Sequence, residues 1–166
     1  MALAASPPVG PTARAAPAAR LARPNDRAQI EALEHRFIAG FDARDVKAIM
    51  ANYAPGDQLF VFDVVPPRQY VGWSAYKADW EALFRAYPGP VEARLAQLSV
   101  TVVGPVAYGH SIQTSALTGP NGAKSTMVMR VSDVYRKLGG RWKIVQEHVS
   151  VPVDLATGKA DLQSRP

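Results

Sequence analysis

The chain contains no cysteine. That excludes a disulfide framework, a thiolate metal site and a cysteine nucleophile, and it fits a cytoplasmic setting. No run approaches the roughly 18 consecutive apolar residues of a membrane-spanning helix, so no membrane association is expected. There is no glycine-rich phosphate loop, no nucleophile elbow and no triad ordering. Histidine is scarce: His35, His110 and His148 stand at no ligand spacing, and neither a metal nor another cofactor is expected. The formal charge is +5, but Arg14, Arg20 and Arg23 of the leading segment supply much of it. No Lys/Arg cluster is interleaved with aromatic residues, so nucleic acid is not an expected partner.

What is present divides into three parts. Residues 1–24 are mainly Ala, Pro and Arg with no hydrophobic period, and such a segment cannot bury enough apolar surface to offset its ordering entropy. They read as a disordered leader. They lack the apolar stretch of a secretory signal. Their acid-free, Arg-bearing composition suits a mitochondrial transit peptide, but no amphipathic pattern accompanies it, and a mis-assigned start or a simple extension accounts for them equally. Residues 25–152 suit one domain, and residues 153–166 are a polar tail expected to run extended.

Within the domain, Asn25 is placed to cap a helix in which Ile30, Leu33, Phe37 and Phe41 form one apolar stripe. Asp45 can cap a short second helix whose Val46, Ile49, Met50 and Tyr53 share a face. After the Pro55-Gly56-Asp57 break, residues 58–65 read as a strand ended by Pro66-Pro67, with residues 68–72 as its hairpin partner. Ser74 can cap a third helix that buries Tyr76, Trp80, Leu83, Phe84 and Tyr87. Four long strands follow, over 91–103, 106–118, 124–137 and 141–151, separated by Gly- and Pro-bearing turns. The order predicts an α+β roll, a curved antiparallel sheet wrapped around three helices.

Alternation along the last strand sends Trp142, Ile144, Gln146, His148 and Ser150 to one face. That face passes from apolar to polar groups, as a strand lining a pocket would. The alternative is a histidine bonded to a neighbour in an ordinary core.

Phe62-Asp63 followed by prolines, Gln69-Tyr70-Val71-Gly72 with Ala75-Tyr76 and Trp80, Asp133-Val134-Tyr135-Arg136-Lys137, and the closing strand from Trp142 to Pro152 together resemble the nuclear transport factor 2-like superfamily. The resemblance is to the branch holding ketosteroid isomerase and the SnoaL-like polyketide cyclases, and it spans residues 25–152. It implies a cone-shaped α+β barrel with a ligand-sized cavity between sheet and helices, commonly dimerised through the sheet; a homodimer is therefore an expected assembly. The superfamily holds isomerases, cyclases, dehydratases, epoxide hydrolases and transport factors, so the fold alone does not assign a function.

The resemblance places Asp63 where ketosteroid isomerase has its catalytic base, and a carboxylate at the mouth of an apolar pocket gains basicity from desolvation. The alternative is an Asp that caps the Pro66-Pro67 turn or faces solvent. The two oxyanion donors of steroid isomerisation have no counterpart: their positions fall on Phe37 and Arg130. Arg130 shares a face with Val128 and Ser132, and pointing inward it would need an anion, either Asp63 or a ligand carboxylate or enolate. The other possibility is an Arg that reaches outward from an edge. The expected site therefore has Asp63 and His148 as a catalytic acid–base pair, with Arg130, Ser132, Gln146, Trp80, Tyr70 and Phe37 around the ligand. The expected ligand is a small apolar molecule bearing a carbonyl or carboxylate, and the chemistry that of a cofactor-independent isomerase, lyase or cyclase. A binding module without turnover, or a dimeric interaction protein of the same fold, fits the same residues.

Overall fold

The computed structural model describes residues 25–164; the expectation for the leader lies outside the described residues. Helix α1 spans Asp26–Asp42 and buries Ile30, Leu33, Phe37 and Phe41, the stripe set by the sequence. It also buries Glu34, which lies on that stripe four residues after Ile30. Asn25 makes no side-chain cap. Helix α2, Val46–Met50, is capped as expected: Asp45 accepts from the Ala48 amide at 2.9 Å.

Strand β1 is short, Phe60–Phe62, and is preceded by a 3-10 turn over Gly56–Gln58. Strand β2, Tyr70–Val71, pairs with it antiparallel. Helix α3, Trp73–Ala86, begins directly after Gly72, whose φ of 90° favours glycine, and not after a Ser74 cap. Arg44, itself at φ 56°, holds the far end of α3: its guanidinium donates to the carbonyls of Phe84, Tyr87 and Gly89 at 2.6–2.7 Å and lies over the Phe84 ring. These bonds seat the C-terminal half of α3, and with it Trp80, against α1.

The long strands are β3 (Val91–Val103), β4 (Val106–Thr118), β5 (Lys124–Leu138) and β6 (Arg141–Ser150). The sheet order is β2-β1-β6-β5-β4-β3. It is curved and unclosed, and it is mixed and not wholly antiparallel, because β1 runs parallel to β6. After β6, β7 (Val153–Asp154) and β8 (Lys159–Ala160) pair as a hairpin where an extended segment is expected, and the Val128 amide of β5 donates to the Leu162 carbonyl. Among the described residues no helix is long and apolar enough to cross a membrane.

Two bulges bend the sheet. In β3, Gln97 (φ 52°) and Leu98 together face the single residue Ser111 between the pairs Ala96–Ile112 and Ser99–His110, so the strand carries one extra residue. In β6, Ile144 pairs with Tyr135 and Gln146 with Val134, leaving Val145 unpaired. An extra residue exchanges the two faces of the strand beyond it. Trp142 and Ile144 face the helices as expected, but past Val145 the inward residues are Glu147 and Val149, while Gln146 and His148 are exposed. The core is an aromatic column of Phe37, Phe41, Tyr53, Tyr76 and Trp80 in edge-to-face contact, closed by Phe84 tilted against Phe41 and Trp80, between helices and sheet.

Candidate functional site

A cavity of about 120 Å³ opens between α1, α3 and the concave side of β4 and β5. Its walls include Phe37, Phe41, Trp80, Leu83, Met127 and Met129, and its polar groups include Asp63, Asp79 and Gln113. A smaller chamber of about 60 Å³ lies beside it and ends at Tyr76, Val131, Glu147 and Val149. Phe37, Asp63, Trp80, Gln113 and Met129 line both spaces, so Asp63 stands at their junction. A larger surface groove of about 750 Å³ runs between α1, α2 and the β5–β6 turn; it is lined mainly by Ala and Gly with Arg36, Arg141 and Lys143, and its one carboxylate, Asp45, has no hydroxyl beside it in the lining.

Asp63 follows β1, where Val61 is fully buried against the core and Phe62 lies on the outer side beside His148. Its Oδ1 accepts from the Val64 amide at 2.5 Å and its Oδ2 lies 3.1 Å from the Tyr76 hydroxyl. Burial pushes the carboxyl above its ordinary value and the Asp79 carboxylate adds to the rise, against the Val64 and Tyr76 hydrogen bonds.

Behind Asp63 lies a buried network of acids and phenols. The Tyr76 hydroxyl is 2.9 Å from Glu147 Oε1, and the Tyr53 hydroxyl donates to Glu147 Oε2 at 2.9 Å. Further along the sheet, the Tyr135 hydroxyl is 2.8 Å from Glu34 Oε1 and 3.3 Å from Asp133 Oδ2. Burial pushes Glu147 up to about 8, with the Asp63 and Glu34 carboxyls adding to it and the two tyrosine hydroxyls opposing. Burial also pushes Glu34 up to about 7, and it raises Asp133 well above its usual range together with Glu147 and Glu34. Tyr53, Tyr76 and Tyr135 are raised by burial and by these carboxyls, so their hydroxyls stay protonated. No cluster of three or more His, Asp or Glu among the described residues is arranged to hold a metal ion.

Of the expected site residues, the fold brings Asp63, Phe37 and Trp80 together at the cavity. His148 and Asp63 point to opposite sides of the sheet, which corrects the acid–base pair: the Val145 bulge turned the histidine outward. Gln146 leaves the cavity for the same reason. Arg130 and Ser132 are exposed on the outer face, because β5 turns Val131, Asp133 and Tyr135 toward the core instead. Arg130 lines an outer groove with Ala96, Ile112 and Pro152. Tyr70 is buried behind the site, stacked on Tyr76 and donating to Asp79 at 2.6 Å. The sequence places Tyr53 and Tyr76 on buried helix faces without a part in the site; the residues that sequence reasoning missed are Glu147, Glu34, Asp133 and Gln113. Glu34 carries a readable signal in its place on the apolar stripe of α1, and Asp133 in its alternation with Tyr135. Glu147 carries none.

Residues 30–154 match the SnoaL-like domain family. The chain belongs to that family. Its fold is that of an NTF2-like protein of unknown function from Pseudomonas putida, at 33% identity and a TM-score of 0.75 over 84% of this chain and 95% of that one. An NTF2-like superfamily protein from Salmonella enterica aligns at 19% identity and a TM-score of 0.69, over 82% and 99% of the two chains. A protein designated a candidate dehydratase of the NTF2-like family, from Streptomyces avermitilis, aligns at 15% identity and 0.67, over 76% and 95%. At these last two identities the likeness concerns the fold alone. Comparison with curated proteins finds no match.

Proposed function

We propose that this SnoaL-like domain binds a small, neutral, carbonyl-bearing molecule in the cavity beside Phe37 and Trp80 and exchanges a proton with it at Asp63. One observation carries the reading: Asp63 is a carboxyl of raised basicity at the junction of two chambers with largely apolar walls. A desolvated carboxyl of this kind suits removal of a proton from carbon next to a carbonyl. The chambers are lined by Asp63, Asp79 and Glu147 and by no Lys, Arg or His. That favours a neutral ligand over a carboxylate, since Arg130, the expected anion holder, lies on the other side of the sheet. The volume suits a molecule of about one ring, near the roughly 150 Å³ of an engineered cavity that holds benzene.

The homodimer belongs to the same proposal. Val103, Val106 and Tyr108 are exposed on the outer face of the sheet, where a second copy would cover them.

The test pairs thermal shift with isotope exchange. Small cyclic ketones and their carboxylate analogues are screened against the wild type and Asp63→Asn, and hits are incubated in deuterated water. Ketones are expected to raise the melting temperature as ligand linkage requires, and to gain deuterium next to the carbonyl with wild type but not with the variant. Stabilisation without exchange would reduce the protein to a binding module. Equal exchange with Asp63→Asn would remove Asp63 from the chemistry.

A further inference from the structure

The Tyr76 hydroxyl has one proton and two carboxyl neighbours. Asp63 Oδ2 lies 3.1 Å from it and Glu147 Oε1 2.9 Å, both within hydrogen-bond reach. A phenol donates once, so the second contact is a hydrogen bond only if the carboxyl on that side is protonated and donates to the phenol oxygen. Tyr53 does not change this count, because its own proton is directed at the other oxygen of Glu147. Two intact bonds at Tyr76 therefore require a proton on one of the two carboxyls.

We propose that Asp63 and Glu147 share a single proton through Tyr76, so that Glu147 sets whether Asp63 meets a ligand as a base or as an acid. In the first arrangement Glu147 is protonated and donates to the Tyr76 oxygen, while Tyr76 donates to Asp63, which is ionised and basic. In the second, the O–H bond of Glu147 breaks as the Tyr76 oxygen takes its proton, and the original Tyr76 proton bonds to Asp63 Oδ2. One proton has then moved from Glu147 to Asp63 and one negative charge the other way. Tyr76 ends neutral, as it began. Tyr76 and Glu147 are positioning residues in this scheme; of the three, only Asp63 lines the larger cavity, and its use there as base and acid rests on the reaction proposed above.

The surroundings favour retaining that proton. Glu147 is faced by Tyr53 from the turn after α2, Tyr76 from α3, Asp63 from the end of β1, Asp133 from β5 and Glu34 from α1. Asp63 is faced in addition by Asp79 of α3. The charged groups in this set are all carboxyls. Two ionised carboxyls bridged by one hydroxyl, with acids behind them, repel each other in a poorly solvated site, and one proton relieves this.

Carbon-13 carboxyl titrations of the ligand-free full chain test the idea, with the Asp63 and Glu147 resonances assigned through Asp63→Asn and Glu147→Gln. In the wild type both resonances should move over the same two pH steps, each carboxyl taking part of its total change in each step. In Tyr76→Phe each should move in one main step of its own. A wild type in which one carboxyl completes its change before the other begins would overturn the proposal, as would a Tyr76→Phe titration superimposable on wild type. If Tyr76→Phe does not fold, the wild-type amplitudes decide alone. A ligand screen without a hit would sink the small-molecule reading and leave this result standing, whereas unshared titration would sink the relay and leave the screen standing.

Discussion

The Tyr53 hydroxyl donates to Glu147 Oε2 at 2.9 Å, and both side chains are buried. Glu147 thus keeps its hydrogen bonds in the core while its carboxyl is pushed up to about 8, chiefly by loss of solvent.

The stability of the fold should fall as pH rises. The usual glutamate value is 4.5, whereas the folded protein holds a proton on Glu34 up to about 7 and on Glu147 up to about 8. Between these values the native state binds more protons than the unfolded chain, so the free energy of unfolding decreases with pH. The contribution is complete below about 4.5 and lost on passing through about 7 and 8. Asp63 and Asp133, also raised, act in the same direction. Melting curves at constant ionic strength should show a higher midpoint near pH 5 than near pH 8.5. Glu147→Gln, which stays neutral, should flatten the slope and exceed wild type at the alkaline end. A midpoint that climbs from pH 5 to 8.5 would refute the assignment.

His148→Ala should change stability by no more than about 0.5 kcal/mol and leave ligand stabilisation intact, as for other exposed positions. Deleting Val145 should remove the bulge but leave the pairs on either side of it, Ile144 with Tyr135 and Gln146 with Val134, in register, so Glu147 stays inward and His148 outward. A cooperative transition by circular dichroism should persist, at a lower midpoint because the bend of the strand is lost.

Gly109→Ala should destabilise by about 1–3 kcal/mol through overpacking. A Cβ there would stand 2.9 Å from the Ser99 carbonyl oxygen and 3.3 Å from the Tyr135 ring and hydroxyl. The strain falls between β3 and β4, so chemical denaturation should reveal it as a lower midpoint at unchanged slope.

Arg44→Ala should cost about 2–3 kcal/mol, since three carbonyls at the end of α3 lose a charged donor. Arg44→Lys should recover little, because a single ammonium does not reproduce a planar fork reaching Phe84, Tyr87 and Gly89. Urea unfolding of the two variants side by side separates loss of charge from loss of geometry.

Several elements could be read directly from the residues. The stripe Ile30, Leu33, Phe37 and Phe41 marks the buried face of α1, and the Gly–Pro breaks delimit the four long strands to within a residue or two. These signals are local: a helical period and a turn are written in neighbouring residues. The resemblance placed Asp63 for the same reason, since its strand end, prolines and following Gly72 are contiguous. Arg130 was misplaced because either face of β5 carries a plausible mix of residues, and only the packing of Tyr135 and Val131 against the helices decides which one is buried.

The last strand marks the division. Its place in the chain and the inward setting of Trp142 and Ile144 were determined by the sequence alone. Which polar residue enters the site was not, because the bulge at Val145 is a property of two strands: it exists only where Gln146 pairs with Val134 while Ile144 pairs with Tyr135. One unpaired residue exchanges the faces beyond it, and so tertiary pairing placed Glu147 in the core behind Asp63 and left His148 outside.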